Sequence, residues 1–291
     1  MSKPLLSISE ISTLHASFED DLTAYAAAGL DGIGIWELKL GDASDDVRSL
    51  QLLEASGLGS ASAVPTIPSI LPLPLLGGPT DPAERIEALL ASIPRLAAFG
   101  AKGIVCLTGS ALGLEPRDAR VRVVEGLKRL ADAAERAGVR IALEPYQPVG
   151  VAEWSIVSTL REAAELIDEA GGQPSLGIQF DVWHLWNCPG VLDDIPRFID
   201  RIAGVHVCDY RDPTRGWADR VFPGDGIAEV AALLRGLDEA GWRSFYDLEL
   251  FSDDGTFGTD HEGSLWAVRA EDIARRGRAA LGSALEAAAR L

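Results

Sequence analysis

Short apolar runs and helical stretches alternate along the whole chain, and this alternation limits the fold more than any other feature. Runs near Leu5–Ser9, Gly32–Trp36, Ser60–Ile67, Gly103–Leu107, 140–144, Leu176–Asp181, Gly204–Cys208 and Ser244–Leu250 have the length and β-branched content of strands. Between them, Phe18–Ala28, Asp45–Ser56, Asp118–Ala137, Leu160–Ala170, Asp193–Arg201 and Ile227–Ala240 carry helical spacing, and Trp266–Arg290 closes the chain. Gly29, Gly57, Gly138 and Gly241 each follow a predicted helix, where a left-handed residue ends the ladder. Asp81-Pro82 opens the third helix, with Pro94 expected to kink it before its end near Phe99. Strict alternation of this kind predicts a parallel sheet, and eight units of it fit a single (β/α)8 TIM barrel over residues 1–291 better than an open sheet.

A parallel barrel gathers its chemistry at the carboxyl ends of the strands. Four of the predicted strands end on a metal-ligating or acid–base group. Val-Arg-Ile-Ala-Leu runs into Glu144 and stops at Pro145, Leu-Gly-Ile-Gln-Phe ends on Asp181, Gly-Val-His206-Val carries an imidazole, and Phe-Tyr-Asp-Leu leads to Glu249. On the last strand Asp247 shares a face with Glu249, and Glu249 is preferred because it lies nearer the carboxyl end. Three carboxylates and one imidazole make a hard, mostly oxygen site for one divalent ion. Mn²⁺ is the first expectation, with Mg²⁺, Co²⁺ or Zn²⁺ as alternatives.

Other residues gain weight from their surroundings. His184 follows Asp181 by three places between Trp183 and Trp186, and aromatic walls around a polar group suit a sugar ring. Lys39, at the end of the second strand, reads either as an active-site cation or as a surface salt-bridge partner. Gly224 and Gly226 are better suited to a tight turn than to cradling phosphate. The proline-rich stretch 68–80 is too apolar for a linker and reads as a lid or wall over a pocket. The loop 146–158 is expected to share in shaping specificity.

A formal net charge of −18 argues against nucleic acid and anionic membrane partners. Three scattered cysteines, Cys106, Cys188 and Cys208, form no disulfide framework and fit a reducing cytoplasm. The N-terminus lacks a basic region and a long apolar core, so it reads as a first strand rather than a signal peptide. The prolines of 63–76 rule that run out as a spanning helix.

The segments Leu-Glu144-Pro, Asp181-Val-Trp-His184, Gly-Val-His206-Val-Cys-Asp209, Asp219-Arg220-Val-Phe-Pro-Gly224-Asp225-Gly226 and Leu-Glu249-Leu-Phe resemble those of the xylose-isomerase-like sugar isomerase/epimerase superfamily. Within it they are most similar to the inosose isomerase and ketose 3-epimerase branch. The resemblance covers about residues 140–252. It implies that Glu144, Asp181, His206 and Glu249 hold the metal, that the two glutamates are the acid/base pair, and that His184 and Arg220 contact substrate. Two departures bear on the branch. No histidine stands two places after Glu144, unlike the dehydroshikimate dehydratases. Four histidines also cannot supply the trinuclear zinc site of the endonuclease IV branch.

The expected activity is isomerisation or epimerisation of a free sugar, keto-sugar or inosose through an enediolate, in a cytoplasmic enzyme with no nucleic-acid or membrane partner and with a homo-oligomer left open. Two readings compete with it. One is a lyase on the same scaffold, either an inosose-type dehydratase or a C-glycoside-cleaving subunit; the other is a non-catalytic sugar-binding barrel.

Overall fold

A computed structural model describes residues 3–74, 76–147 and 154–291. Its strands are β1 (Leu5–Ser9), β2 (Gly32–Trp36), β3 (Gly59–Val64), β4 (Gly103–Cys106), β5 (Arg140–Leu143), β6 (Leu176–Asp181), β7 (Ile202–Val207), β8 (Asp209–Tyr210), β9 (Arg220–Val221) and β10 (Phe245–Leu248). Eight of them close into a barrel in the order β1-β10-β7-β6-β5-β4-β3-β2, while β8 and β9 form a separate antiparallel pair. The pairings of β1 with β2 and β10, of β10 with β7, and of β5 with β4 and β6 are parallel. The fold is the expected (β/α)8 barrel. By its internal contacts the chain divides into two compact units, Met1–Ser62 with Val205–Leu291, and Ala63–Gly204.

In the first unit, Ser17 and Asp20 form a reciprocal capping box that starts the helix Phe18–Ala27. That helix and Val230–Ala240 both pack on the C-terminal helix Ala270–Ala288. Close packing of the C-terminal helix on β1 and β10 depends on Gly277, where a Cβ would lie 2.5 Å from the Leu248 side chain and 2.9 Å from that of Ile8. The C-terminal helix begins later than its sequence suggests, because Leu265–Ala267 forms a separate 3-10 turn capped by Ser264.

In the second unit, the Asp81 carboxylate accepts from the Ala83 amide and Pro82 occupies the first turn, as its sequence predicts. Pro94 lies inside the helix Pro82–Ala98 without dividing it. This helix packs on Pro116–Ala137, whose Val123, Leu127 and Leu130 are buried. Each such side chain contributes about 1.5–3 kcal/mol on removal from water. Arg140, at the start of β5, donates to the carbonyls of Ile202 at 3.0 Å, Arg201 at 3.1 Å and Asp200 at 3.2 Å. One guanidinium therefore ties the entrance of β5 to that of β7.

The described part of the proline-rich stretch is tied down by hydrogen bonds. Leu107 N donates to Pro68 O at 2.7 Å, and Leu71 N donates to Thr108 O at 2.8 Å, so the segment extends the edge of β4. The buried Arg85 holds it from beneath, donating to Ser69 Oγ at 2.7 Å, Pro79 O at 3.0 Å and Gly77 O at 3.1 Å. Of the expected specificity loop 146–158, residues 148–153 lie outside the described residues. Among the described residues, no helix is long and apolar enough to cross a membrane, and Cys106, Cys188 and Cys208 form no disulfide.

Candidate active site

The unit Ala63–Gly204 holds Glu144, Asp181 and His184 as one buried cluster. Glu144 N donates to Cys106 O at 3.0 Å, which carries the ladder one residue past β5 before Pro145 interrupts it. Asp181 is the last residue of β6 and the N-cap of the short helix Val182–Leu185, its Oδ1 accepting from Trp183 N at 2.8 Å. That turn brings His184 back towards the strand end, with Nε2 3.6 Å from Asp181 Oδ2. One ligand atom from each of Glu144, Asp181 and His184 lies within 4.8 Å of the others.

Aromatic rings enclose the imidazole. The Tyr146 ring lies 3.6 Å from that of His184, centroid to centroid, and Trp154 stacks on Tyr146 at 5.5 Å. Trp183 meets His184 edge-on at 5.1 Å and is itself buried. Tyr146 has no sequence signal beyond its place two residues after Glu144.

The unit containing Val205–Leu291 holds His206, Glu249 and Arg220. Glu249 N donates to Val207 O at 3.1 Å, extending β10 towards its carboxyl end. His206 Nδ1 lies 3.2 Å from Glu249 Oε2, the same oxygen that accepts from Arg220 Nη1 at 2.8 Å. Arg220 comes from β9 and is fixed twice. Its amide donates to Phe251 O at 2.8 Å, and its guanidinium lies 4.8 Å from the centre of the Phe251 ring. Burial alone would raise the Glu249 carboxyl, but its contacts with His206 and Arg220 outweigh it and hold the group below the ordinary carboxylate range.

Asp247 faces the same way as Glu249, as strand alternation requires, but lies deeper. Its carboxylate accepts from Ser62 Oγ at 2.8 Å and lies 3.9 Å from His206 Nε2. Burial pushes it up to about 6, with His206 opposing the rise. Ser62 is the residue in this cluster that sequence reading misses. Its only local signal is the polar alternation of Ser60 and Ser62 within an otherwise small, apolar strand.

Two other expectations meet the structure in this unit. The Pro-Gly-Asp-Gly segment is a turn wrapped on Asp209, whose carboxylate accepts from Gly224 N and Ala228 N, both at 2.9 Å. Those amides are committed to a protein carboxylate, so the segment is not a phosphate cradle. Lys39 departs from both sequence readings, since it is neither a surface partner nor an available cation. Its ammonium donates to Thr13 O at 3.0 Å, to Glu10 O at 3.3 Å and to the buried carboxylate of Asp21. An ammonium has three donors, and none remains for a substrate. The reason is the company it keeps. Glu10 and Asp21 are fully buried acids that burial pushes upward, and Lys39 is the charge that opposes this.

The sequence model of the xylose isomerase-like TIM barrel family matches residues 22–287. A protein named "Probable endonuclease 4" from Shouchella clausii is 30% identical over 145 residues, 46% of this chain and 48% of that protein. An inosose isomerase of Bacillus licheniformis is 31% identical over 138 residues, again 46% of this chain and 48% of the relative. The chain thus spans about half the length of these curated relatives. An L-ribulose 3-epimerase of Methylomonas sp. is 26% identical over 243 residues, 79% of this chain and 77% of that enzyme. Among solved structures, a zinc-bound IolI protein shares the fold with a TM-score of 0.77 at 20% identity, over 97% of this chain and 98% of that chain.

Proposed function

The chain belongs to the xylose isomerase-like TIM barrel family, and from that premise we propose a divalent-metal-dependent isomerase or epimerase of a free sugar, keto-sugar or inosose. The observation behind this is a set of buried acceptors crowded on one another. Glu144 and Asp181 have ligand atoms within 4.8 Å of each other in a buried setting. Like charges so placed are costly unless a cation joins them. A second acceptor pair, His206 Nδ1 and Glu249 Oε2, lies 3.2 Å apart. Carboxylates and imidazole without thiolate suit a hard divalent ion.

Glu144, Asp181, His206 and Glu249 would hold that ion. Each stands at or near the carboxyl end of its own strand, β5, β6, β7 or β10, and strand ends of that kind are where such barrels do their chemistry. Mn²⁺ is the ion we expect first, although the IolI neighbour contains zinc. A bound divalent ion supplies the positive charge that makes a C–H next to a carbonyl acidic. Proton movement belongs to the protein. One of Glu144 and Glu249 takes the proton from that carbon, leaving an enediolate, and the other returns a proton to the neighbouring carbon or the opposite face. Arg220 keeps Glu249 ionised and so fit to accept. His184, backed by Tyr146 and Trp183, would donate to a substrate oxygen.

The half-length match to an endonuclease raises a nucleic-acid reading. A net charge of −18 opposes it. So do the histidines: of the four, His15 pairs with Asp254 at 2.7 Å outside the cluster and His261 lies in a loop beyond β10, which leaves two imidazoles for metal. The substrate is therefore read as a small molecule, and the setting as cytoplasmic.

The test is to incubate the Mn²⁺-loaded protein with a panel of keto-sugars and inososes in D₂O. An isomeric product carrying solvent deuterium is the expected result. Loss of water or of an aglycone would instead make it a lyase. Absence of bound metal together with no turnover across the panel would leave the sugar-binding barrel standing.

A further inference from the structure

Behind His206 runs a hydrogen-bond chain that the proposed chemistry does not use. Asp247 lies opposite His206 in the register of β10 with β7. Ser62 bridges them, its Oγ 2.9 Å from His206 Nε2 and 2.8 Å from Asp247 Oδ2. All three side chains are buried. Space for the carboxylate is built into β2, because a Cβ on Gly34 would fall 2.1 Å from Asp247 Oδ2 and 3.0 Å from Ser9 Cα.

The chain has a direction. A serine hydroxyl has one proton to give, and an ionised carboxylate can only accept. Ser62 therefore donates to Asp247, and its oxygen lone pairs are left to accept from His206. That requires the ring proton to sit on Nε2. A neutral imidazole carries a single ring proton, so Nδ1 presents a lone pair. Nδ1 is the nitrogen 3.2 Å from Glu249 Oε2, where two facing acceptors call for a cation between them.

We propose that Asp247 and Ser62 are positioning residues, which fix His206 as the Nε2–H tautomer and aim its Nδ1 lone pair at the ion shared with Glu249. This rests on the reading of His206 as a metal ligand. Loss of such an outer partner typically lowers metal affinity about 10–100-fold, and that loss is expected for both Asp247→Asn and Ser62→Ala. An amide at position 247 can donate to Ser62 and so reverse the chain; alanine at 62 breaks it. Ser62→Thr, which keeps the hydroxyl, is expected to recover most of the affinity.

Two measurements separate the tautomer from the metal. The first is the ¹⁵N ring spectrum of His206 in the metal-free protein, assigned by its absence in His206→Ala. The wild type should carry a proton on Nε2, and Asp247→Asn and Ser62→Ala should weaken that preference. The second is calorimetric titration with Mn²⁺ of variants whose folding is checked by circular dichroism. Should Asp247→Asn fail to fold, the comparison of Ser62→Ala with Ser62→Thr decides. A wild type that lacks a proton on Nε2 overturns the proposal. So does unchanged Mn²⁺ affinity in Ser62→Ala. Wild-type protein that takes up no Mn²⁺ removes the metal centre itself, a failure that the ring spectrum of the metal-free protein distinguishes from a wrong tautomer.

Discussion

Arg220 donates through Nη1 to Glu249 Oε2 at 2.8 Å, in a setting where both side chains are nearly fully buried. The pair joins a residue read from the sequence as a substrate contact to one read as a metal ligand and base. A buried guanidinium and an ion on the same carboxylate would draw on the same charge. Arg220 thus acts on the reaction through Glu249 as well as through any substrate oxygen it meets.

Arg220→Ala should lower kcat/KM on the true substrate by about 10–100-fold, the equivalent of one charge-assisted hydrogen bond of about 1.5–3 kcal/mol. Mn²⁺ affinity should not fall, because a competing cation has been removed from Glu249. Arg220→Lys keeps the charge but not the planar fork, and should recover only part of the rate. Steady-state kinetics beside Mn²⁺ titration checks this. A parallel loss of metal would show that Arg220 serves mainly to hold Glu249 in place.

The barrel and its strand-end groups were legible in the sequence because both depend on short-range patterns. Alternation gave the strands, and the residues at their ends, Glu144, Asp181, His206 and Glu249, follow from where each apolar run stops. What was not legible depends on distant partners. Ser62 meets Asp247 from 185 positions away. Lys39 looked available until Glu10 and Asp21, from other elements, claimed its donors. The two-residue strand that carries Arg220, β9, is too short to leave any periodicity, so Arg220 is named by resemblance alone. Helix ends were read to within a few residues, except where the 3-10 turn Leu265–Ala267 precedes the C-terminal helix with a similar apolar composition.

Asp219 should prove a pH-sensitive support for the loop that carries Arg220. Its buried carboxylate accepts from Arg211 Nε at 3.0 Å and from Arg215 N at 2.9 Å and Nε at 3.0 Å. Burial raises its carboxyl, and the Arg215 and Arg211 contacts more than reverse this, leaving it below its ordinary value of 3.8. A depressed acid stabilises the fold fully above that ordinary value, and the contribution fades as pH falls through the folded one. Asp219→Asn should therefore lower the Tm at pH 7, with the gap to wild type narrowing as the pH falls below 3.8. Thermal melts of both proteins across that range check the sign. A gap independent of pH would mean that the contacts matter for shape and not for charge.

Glu144→Gln and Glu249→Gln should each abolish proton exchange at the substrate carbon more completely than they remove the metal. Glutamine keeps an oxygen that can coordinate but cannot take up a proton as a carboxylate does. Loss of a general base costs about 10²–10⁴-fold, whereas a weakened ligand costs affinity that excess metal restores. The two substitutions should differ in their effect on the fold. Glu249→Gln leaves Arg220 facing a neutral amide, so a buried guanidinium loses its counter-charge. Glu144→Gln instead relieves a carboxylate crowded against Asp181, and should raise the Tm of the metal-free protein. Each variant is saturated with Mn²⁺ and deuterium wash-in is followed at the carbon next to the carbonyl. Near-native exchange in both would mean that neither glutamate is the base, and the proton would have to pass to His184, the buried imidazole 3.6 Å from Asp181.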